Sequence, residues 1–217
     1  MIKAVIFDLD GTIIETESIT SKSYEEMVKS YGKIPIPNEH GLIQTPGLRG
    51  DDAWKLLKEK YGIEEDTEVL RTKRRKIYID MLKGNIEPLP GVVSFVKLLK
   101  KKGVKIALAT GSAPHVIDLI LSELQIQEYF DVIVNGKEVK RGKPDPECYT
   151  KASEKLGIEP QNCLVVEDAQ FGTMAAKAAG MKVITIPTAN TKKQDLSMAD
   201  LIVPSMEDIT WETIHSL

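Results

Sequence analysis

Cysteine is nearly missing from this chain, with two among 217 residues, Cys148 and Cys163. Their spacing fits neither a metal-ligand pair nor a disulfide framework, which predicts reduced thiols. Histidine is as scarce, with three copies. Neither His40 nor His115 stands at a ligand-like spacing, although His115, directly after Pro114, lies near a helix start where it could face a site. Long apolar runs are absent; the longest fall far short of a bilayer span, so no membrane association is expected. Neither sign of charge dominates: 29 Lys and Arg against 32 Asp and Glu leave a formal net charge of −3. That balance gives no reason to expect nucleic acid or an anionic lipid surface as partner. No internal repeat and no low-complexity tract interrupt the chain. Apolar strand residues begin at once, so no leader is expected and the location expected is cytoplasmic. What is present, 42% hydrophobic and 28% charged residues, is the composition of a globular protein with a sizeable core. The length allows one large domain or two small ones.

Residues 2–12 read Ile-Lys-Ala-Val-Ile-Phe-Asp-Leu-Asp-Gly-Thr. Ala4 to Phe7 shows no polar alternation, which predicts a strand buried on both faces of a parallel sheet. In open α/β sheets the chemistry sits beyond the carboxyl ends of the strands. Asp8 and Asp10 therefore fall where a reacting group would be, with Gly11 turning the chain away. Residues two apart in an extended segment point the same way, so the two carboxylates can share one small site. At 4 Å and an effective dielectric near 20 such a pair repels by about 4 kcal/mol, which calls for a divalent cation. A solvated turn at the strand end explains the same residues without chemistry.

From Val92 onward, helical and strand patterns alternate. Val92, Phe95, Val96 and Leu99 keep a helical spacing and Gly103 ends that helix. Strands are expected at 104–109, 132–134, 164–166, 183–186 and 201–203. Helices carrying Ile117, Ile120, Leu121 and Leu124, and then Tyr149, Ala152 and Leu156, separate them. Such β–α repetition predicts a doubly wound parallel sheet with helices on both faces. The stretch 16–84 breaks the rhythm with three helix-like segments, about 18–31, 51–61 and 66–82, and a Pro- and Gly-rich link over 33–50. A small all-α domain inserted after the first strand, over a core of 1–15 and 85–217, is expected.

Three further strand ends carry polar groups. Thr110-Gly111-Ser112 offers hydroxyls and backbone N–H groups before a helix, either an anion site or helix capping. In Gly142-Lys143-Pro144-Asp145-Pro146, Asp145 can serve as helix N-cap with Pro146 at the first helical position, and Pro144 holds Lys143 extended. A lysine so held suits a phosphate, although loop lysines are commonly surface charges. Glu167-Asp168 adds two carboxylates, completing an all-oxygen set suited to Mg²⁺.

In this order, Asp8-Leu9-Asp10-Gly11-Thr12, Thr110, Lys143 and Glu167-Asp168 resemble the four signature loops of the haloacid dehalogenase-like superfamily, over nearly the whole chain. The resemblance implies a Rossmann-like core with a helical cap, obligate Mg²⁺ and phosphoryl transfer through an aspartyl-phosphate. It makes Asp8 the nucleophile and Asp10 the general acid and base. Asp8, Asp10 through its backbone carbonyl, Asp168 and Glu167 become metal ligands, and Thr110, Gly111 and Lys143 hold phosphate. The acid at position 10 disfavours the dehalogenase branch.

The branch this chain is similar to includes β-phosphoglucomutases and sugar and polyol phosphate phosphatases. The mutases carry a cap histidine where Thr20 stands, and Lys-Asn where Ala113-Pro114 stands. A phosphatase acting on a small phosphate monoester is therefore expected, with a phosphomutase or a non-catalytic phosphosugar-binding protein as alternatives. Gly47-Leu48-Arg49-Gly50-Asp51-Asp52-Ala53 resembles a specificity loop of polyol and deoxysugar phosphate phosphatases, making Arg49 and Asp52 candidate substrate contacts; a helix N-terminus near Asp51 explains them equally. Trp54 reads as cap core, the basic run at Arg71, Lys73, Arg74, Arg75 and Lys76 as a solvated helix face. A monomer is expected.

Overall fold

The computed structural model describes residues 1–36 and 51–217, with the helix backbone alone at Asp51 and Asp52. The chain divides into two compact units, Met1–Glu15 with Ile86–Leu217, and Thr16–Asn85.

The larger unit is a six-stranded, all-parallel sheet in the order β3-β2-β1-β4-β5-β6. Its strands are β1 (Ala4–Phe7), β2 (Lys105–Ala109), β3 (Val132–Val134), β4 (Cys163–Glu167), β5 (Lys182–Thr185) and β6 (Leu201–Ile202). Every residue of β1 is buried, as a strand with neighbours on both edges and packing on both faces must be. Phe7 lies opposite Leu108 of β2 and Val166 of β4, so three strands end at one level. Below that level, Phe7 packs edge-on against Phe95 and Phe130, with ring centroids 5.8 and 6.1 Å away.

Helices of the smaller unit are α1 (Glu17–Lys29), α2 (Asp51–Tyr61) and α3 (Thr67–Leu82). Those of the sheet unit are α4 (Val92–Lys101), α5 (Pro114–Glu123), α6 (Glu147–Leu156), α7 (Gln170–Ala178) and α8 (Trp211–Ser216). The residues expected to face the core from α4 (Val92, Phe95, Val96 and Leu99) are all buried. Helix α6 stops at Gly157. It also begins one residue later than the Asp145–Pro146 reading: Pro146 is the flanking residue and the Asp145 carboxylate accepts from the Glu147 N–H at 3.0 Å.

The helical unit has its own core of Met27, Val28, Trp54, Leu57, Tyr61, Ile63 and Leu70, so Trp54 does pack inside it. Asp66 caps α3, accepting from the N–H groups of Glu68 and Val69 at 2.8 and 3.4 Å. The basic run on α3 is less uniform than a solvated face. Arg75 and Lys76 are exposed, but the Arg74 guanidinium lies 4.8 Å from the ring centres of both Tyr24 and Tyr78 and donates to Ser23 Oγ at 2.9 Å. Lys73 lies 4.1 Å from the Tyr31 ring. Aromatic faces attract cations, and the long stems add apolar contact. Among the described residues, no helix is long and apolar enough to cross a membrane.

Candidate active site

The carboxyl end of β1 runs straight into Asp8, whose N–H donates to the Val166 carbonyl of β4 at 3.1 Å. The ladder thus carries Asp8 to the level of Glu167, the last residue of β4, with Asp168 immediately beyond. Asp8, Glu167 and Asp168 are all buried, and each offers a carboxylate oxygen within 4.8 Å of the others. Gly11, at φ +80°, makes the turn that follows β1, and any side chain there would collide with the Asp168 carboxylate. Gly172 on α7 performs the same service for Glu167, whose carboxylate occupies the space a Cβ would need. Absent side chains at two positions make room for two buried acids.

Lys143 enters from the loop between β3 and α6, through a cis Lys143–Pro144 peptide. Its ammonium donates to Asp8 Oδ1 at 2.7 Å and to Glu167 Oε1 at 2.6 Å. From the other side of the loop, Glu147 accepts from the backbone N–H groups of Lys140 and Arg141 at 3.0–3.1 Å and from Lys151 at 2.7 Å. The lysine is therefore held at a fixed point.

Thr110, at the end of β2, is buried and donates its N–H to the Val134 carbonyl at 3.0 Å. Its Oγ1 accepts from the Ser112 N–H at 3.0 Å. Neither hydroxyl caps α5, which begins after Ala113 without a side-chain cap. Gly111 packs beneath Gly136, with no room for a Cβ on the latter. Asp10 stands outside the cluster of three acids; its Oδ2 accepts from Ser112 Oγ at 2.9 Å. His115 is exposed on the first turn of α5. Arg49 and His40 lie outside the described residues, as does the side chain of Asp52. Both cysteines are free and buried, and burial pushes each thiol up to about 11.

Three buried acids meet where one ammonium is bonded to two of them, and the imbalance appears in their protonation. Burial first, then the charges of Glu167 and Asp10, push Asp8 up to about 7 against the opposing pull of Lys143. Burial, Glu167 and Asp8 push Asp168 up to about 8. Burial also opposes ionisation of Glu167, but Lys143, Tyr149 and the Asp168 N–H outweigh it and hold this carboxyl below its usual range. Lys143 moves up despite its burial, because Asp8 and Glu167 favour the ammonium. Three buried acids offering only oxygen donors form a set that suits a hard divalent cation, which would restore the charge balance.

Tyr149 escaped the sequence reading, and Ser112, expected at an anion site or a helix cap, instead bonds Asp10. Tyr149 donates its buried hydroxyl to Glu167 Oε1 at 2.6 Å. The signal for Tyr149 was available: a buried phenol requires an acceptor, and this one follows the lysine loop by one helical turn.

The haloacid dehalogenase-like hydrolase model matches residues 5–186, a span that includes every one of these strand ends. The chain belongs to the haloacid dehalogenase-like hydrolases. Among its relatives in the family, the phosphorylated carbohydrates phosphatase of Thermotoga maritima is 34% identical over 186 residues, covering 84% of this chain and 83% of the relative. Hexitol phosphatase B of Escherichia coli is 30% identical, covering 96% and 95%. Among solved structures, the β-phosphoglucomutase of Clostridium difficile superposes with a TM-score of 0.78 at 26% identity, covering 100% of this chain and 96% of that one.

Proposed function

We propose that this hydrolase is a phosphatase for small phosphorylated sugars or polyols, working through an aspartyl-phosphate on Asp8. The observation that carries the reading is the meeting of Asp8, Glu167, Asp168 and Lys143, from three separate chain segments, at the carboxyl end of the sheet.

In this mechanism an Asp8 carboxylate oxygen attacks the phosphorus of the monoester. An Asp8–phosphorus bond forms while the bond to the ester oxygen breaks, and Asp10 gives its proton to the departing alkoxide. Asp10 then takes a proton from a water molecule. That water attacks the same phosphorus, releasing inorganic phosphate and restoring the Asp8 carboxylate. Ser112, bound to Asp10, keeps the acid turned away from the cluster of three. The Lys143 ammonium has a third N–H beyond those committed to Asp8 and Glu167, and this one is available to a phosphoryl oxygen. Thr110 and the Gly111 N–H hold the remaining oxygens. The donor set fits Mg²⁺, which Asp8 and Asp168 would hold together with the Asp10 carbonyl and which would offset the repulsion between carboxylates and phosphate dianion. Glu167 would lie within reach of the same ion, its oxygens engaged by Lys143, Tyr149 and two backbone N–H groups.

The relatives named as phosphatases of phosphorylated carbohydrates and hexitols support the substrate class. The likeness to a β-phosphoglucomutase supports a second reading, phosphoryl return to a sugar. Against it stand Thr20 and Ala113-Pro114, in place of the groups that manage a second phosphate in mutases. Incubation with β-glucose 1-phosphate and catalytic glucose 1,6-bisphosphate separates the two. Free phosphate forming faster than glucose 6-phosphate is expected; the reverse would make the protein a mutase.

A further inference from the structure

Glu167 has no spare lone pair. Its Oε1 accepts from Lys143 Nζ at 2.6 Å and from the Tyr149 hydroxyl at 2.6 Å, while its Oε2 accepts from the N–H groups of Asp168 and Ala169 at 2.9 and 3.2 Å. A carboxylate has about four acceptor sites, and all are taken. Two of the four donors are backbone and cannot move without unwinding the strand end. The other two are side chains, and they meet on one oxygen.

Tyr149 touches Lys143 twice over. Through Glu167 Oε1 the phenol and the ammonium share an acceptor. Directly, the Lys143 Nζ lies 4.8 Å from the centre of the Tyr149 ring. The ammonium is thus bounded by Asp8, by Glu167 and by an aromatic face. Tyr149 itself is fully buried in the sheet core, among Ala4, Ile6, Ala107, Val134, Ala152 and Val165. The sheet core therefore supplies the rigidity and the phenol transmits it to the cation.

We propose that Tyr149 is a positioning residue for Lys143, acting through Glu167 to aim the remaining ammonium N–H at the phosphoryl group. The inference rests on the phosphatase reading above. Removal of the phenol oxygen leaves Glu167 Oε1 with one side-chain donor, so carboxylate and ammonium can rotate together toward Asp8.

A double-mutant cycle of Tyr149→Phe and Lys143→Ala tests this. Inorganic phosphate affinity is measured by calorimetry on all four proteins with Mg²⁺ present, and Mg²⁺ affinity and thermal melting are followed alongside. Tyr149→Phe is expected to weaken phosphate binding about tenfold, with Mg²⁺ affinity within about twofold of wild type and melting nearly unchanged. In the Lys143→Ala background the same substitution is expected to change phosphate affinity by less than about twofold. Wild-type phosphate affinity in Tyr149→Phe would overturn the proposal. So would an equal loss in both backgrounds, which would make Tyr149 a packing residue only, or a parallel loss of Mg²⁺ affinity, which would place the effect of the phenol on the metal site and not on Lys143. Undiminished phosphate binding in Lys143→Ala alone would instead overturn the phosphate-holding role of Lys143, and the proposal with it.

Discussion

The two compact units treat charge in opposite ways. In the helical unit, charged groups find their compensation singly, within that unit. Asp66 takes two N–H groups at the start of its own helix, and Arg74 rests between Tyr24 and Tyr78 on Ser23. In the sheet unit, three buried carboxylates meet with one ammonium bonded to two of them, and Asp8 and Asp168 hold protons well above the usual carboxylate range. Burial of like charges without local compensation is a cost that folding alone does not explain, and perturbed acids of this kind are what active sites collect. Removing a charge from the first unit should therefore disturb stability, and removing one from the second should disturb turnover.

The sharpest separation is expected from Asp8→Asn. Turnover of p-nitrophenyl phosphate should fall by at least about 10³-fold, since loss of a covalent nucleophile leaves only binding and electrostatic contributions. Thermal melting in the absence of metal should not fall, because a repelling buried charge has gone. Melting that drops together with activity would mean that Asp8 is a structural acid like Asp66.

Specificity should divide differently. Arg49→Ala and Asp52→Ala are expected to lower kcat/KM for the preferred hydroxylated substrate about tenfold, while p-nitrophenyl phosphate, which lacks the hydroxyls, stays within about twofold. Equal losses on both substrates would contradict a role in substrate choice.

The carboxylates of the sheet unit also set a pH dependence. Asp8 and Asp168 go from an ordinary 3.8 to about 7 and about 8 in the metal-free fold. Between these limits the native state binds more protons than the unfolded chain, so metal-free stability should fall as pH rises from about 4 and level off above about 8. On the proposed mechanism Mg²⁺ would replace those protons. Its stabilising effect on melting should be large near pH 9 and small near pH 5.5, with protons released on binding. An equal thermal shift at both values would contradict metal binding by these two acids.

Arg74→Ala supplies the smallest effect and the control. Loss of two aromatic contacts and a hydrogen bond should cost about 1–2 kcal/mol of stability, with the rate on p-nitrophenyl phosphate unchanged.

Much of this was legible in the residues. An unbroken apolar run before Asp8 implies a central parallel strand, and hydroxyl and acidic strand ends in the same sheet imply a common site. The spacing on α4 and the stop at Gly157 follow from side-chain period and backbone freedom. What escaped depends on partners distant in the chain. Tyr149 contributes an apolar face to the pattern of α6, and nothing local announces that its hydroxyl meets Glu167, 18 residues on. Arg74 reads as one more surface cation until Tyr24, 50 residues earlier, comes beneath it. Asp145 and Pro146 are both competent helix starters, and local rules do not choose between them to one residue.

The account turns on a bond between Asp8 and phosphorus. Rapid quench of enzyme, Mg²⁺ and p-nitrophenyl phosphate into borohydride reduces an acyl phosphate to an alcohol, which mass spectrometry of the N-terminal peptide would read as homoserine. The account predicts homoserine at position 8 alone, dependent on substrate and absent from Asp8→Asn. Reduction at Asp10 or Asp168 instead, or none under conditions of steady turnover, would contradict it.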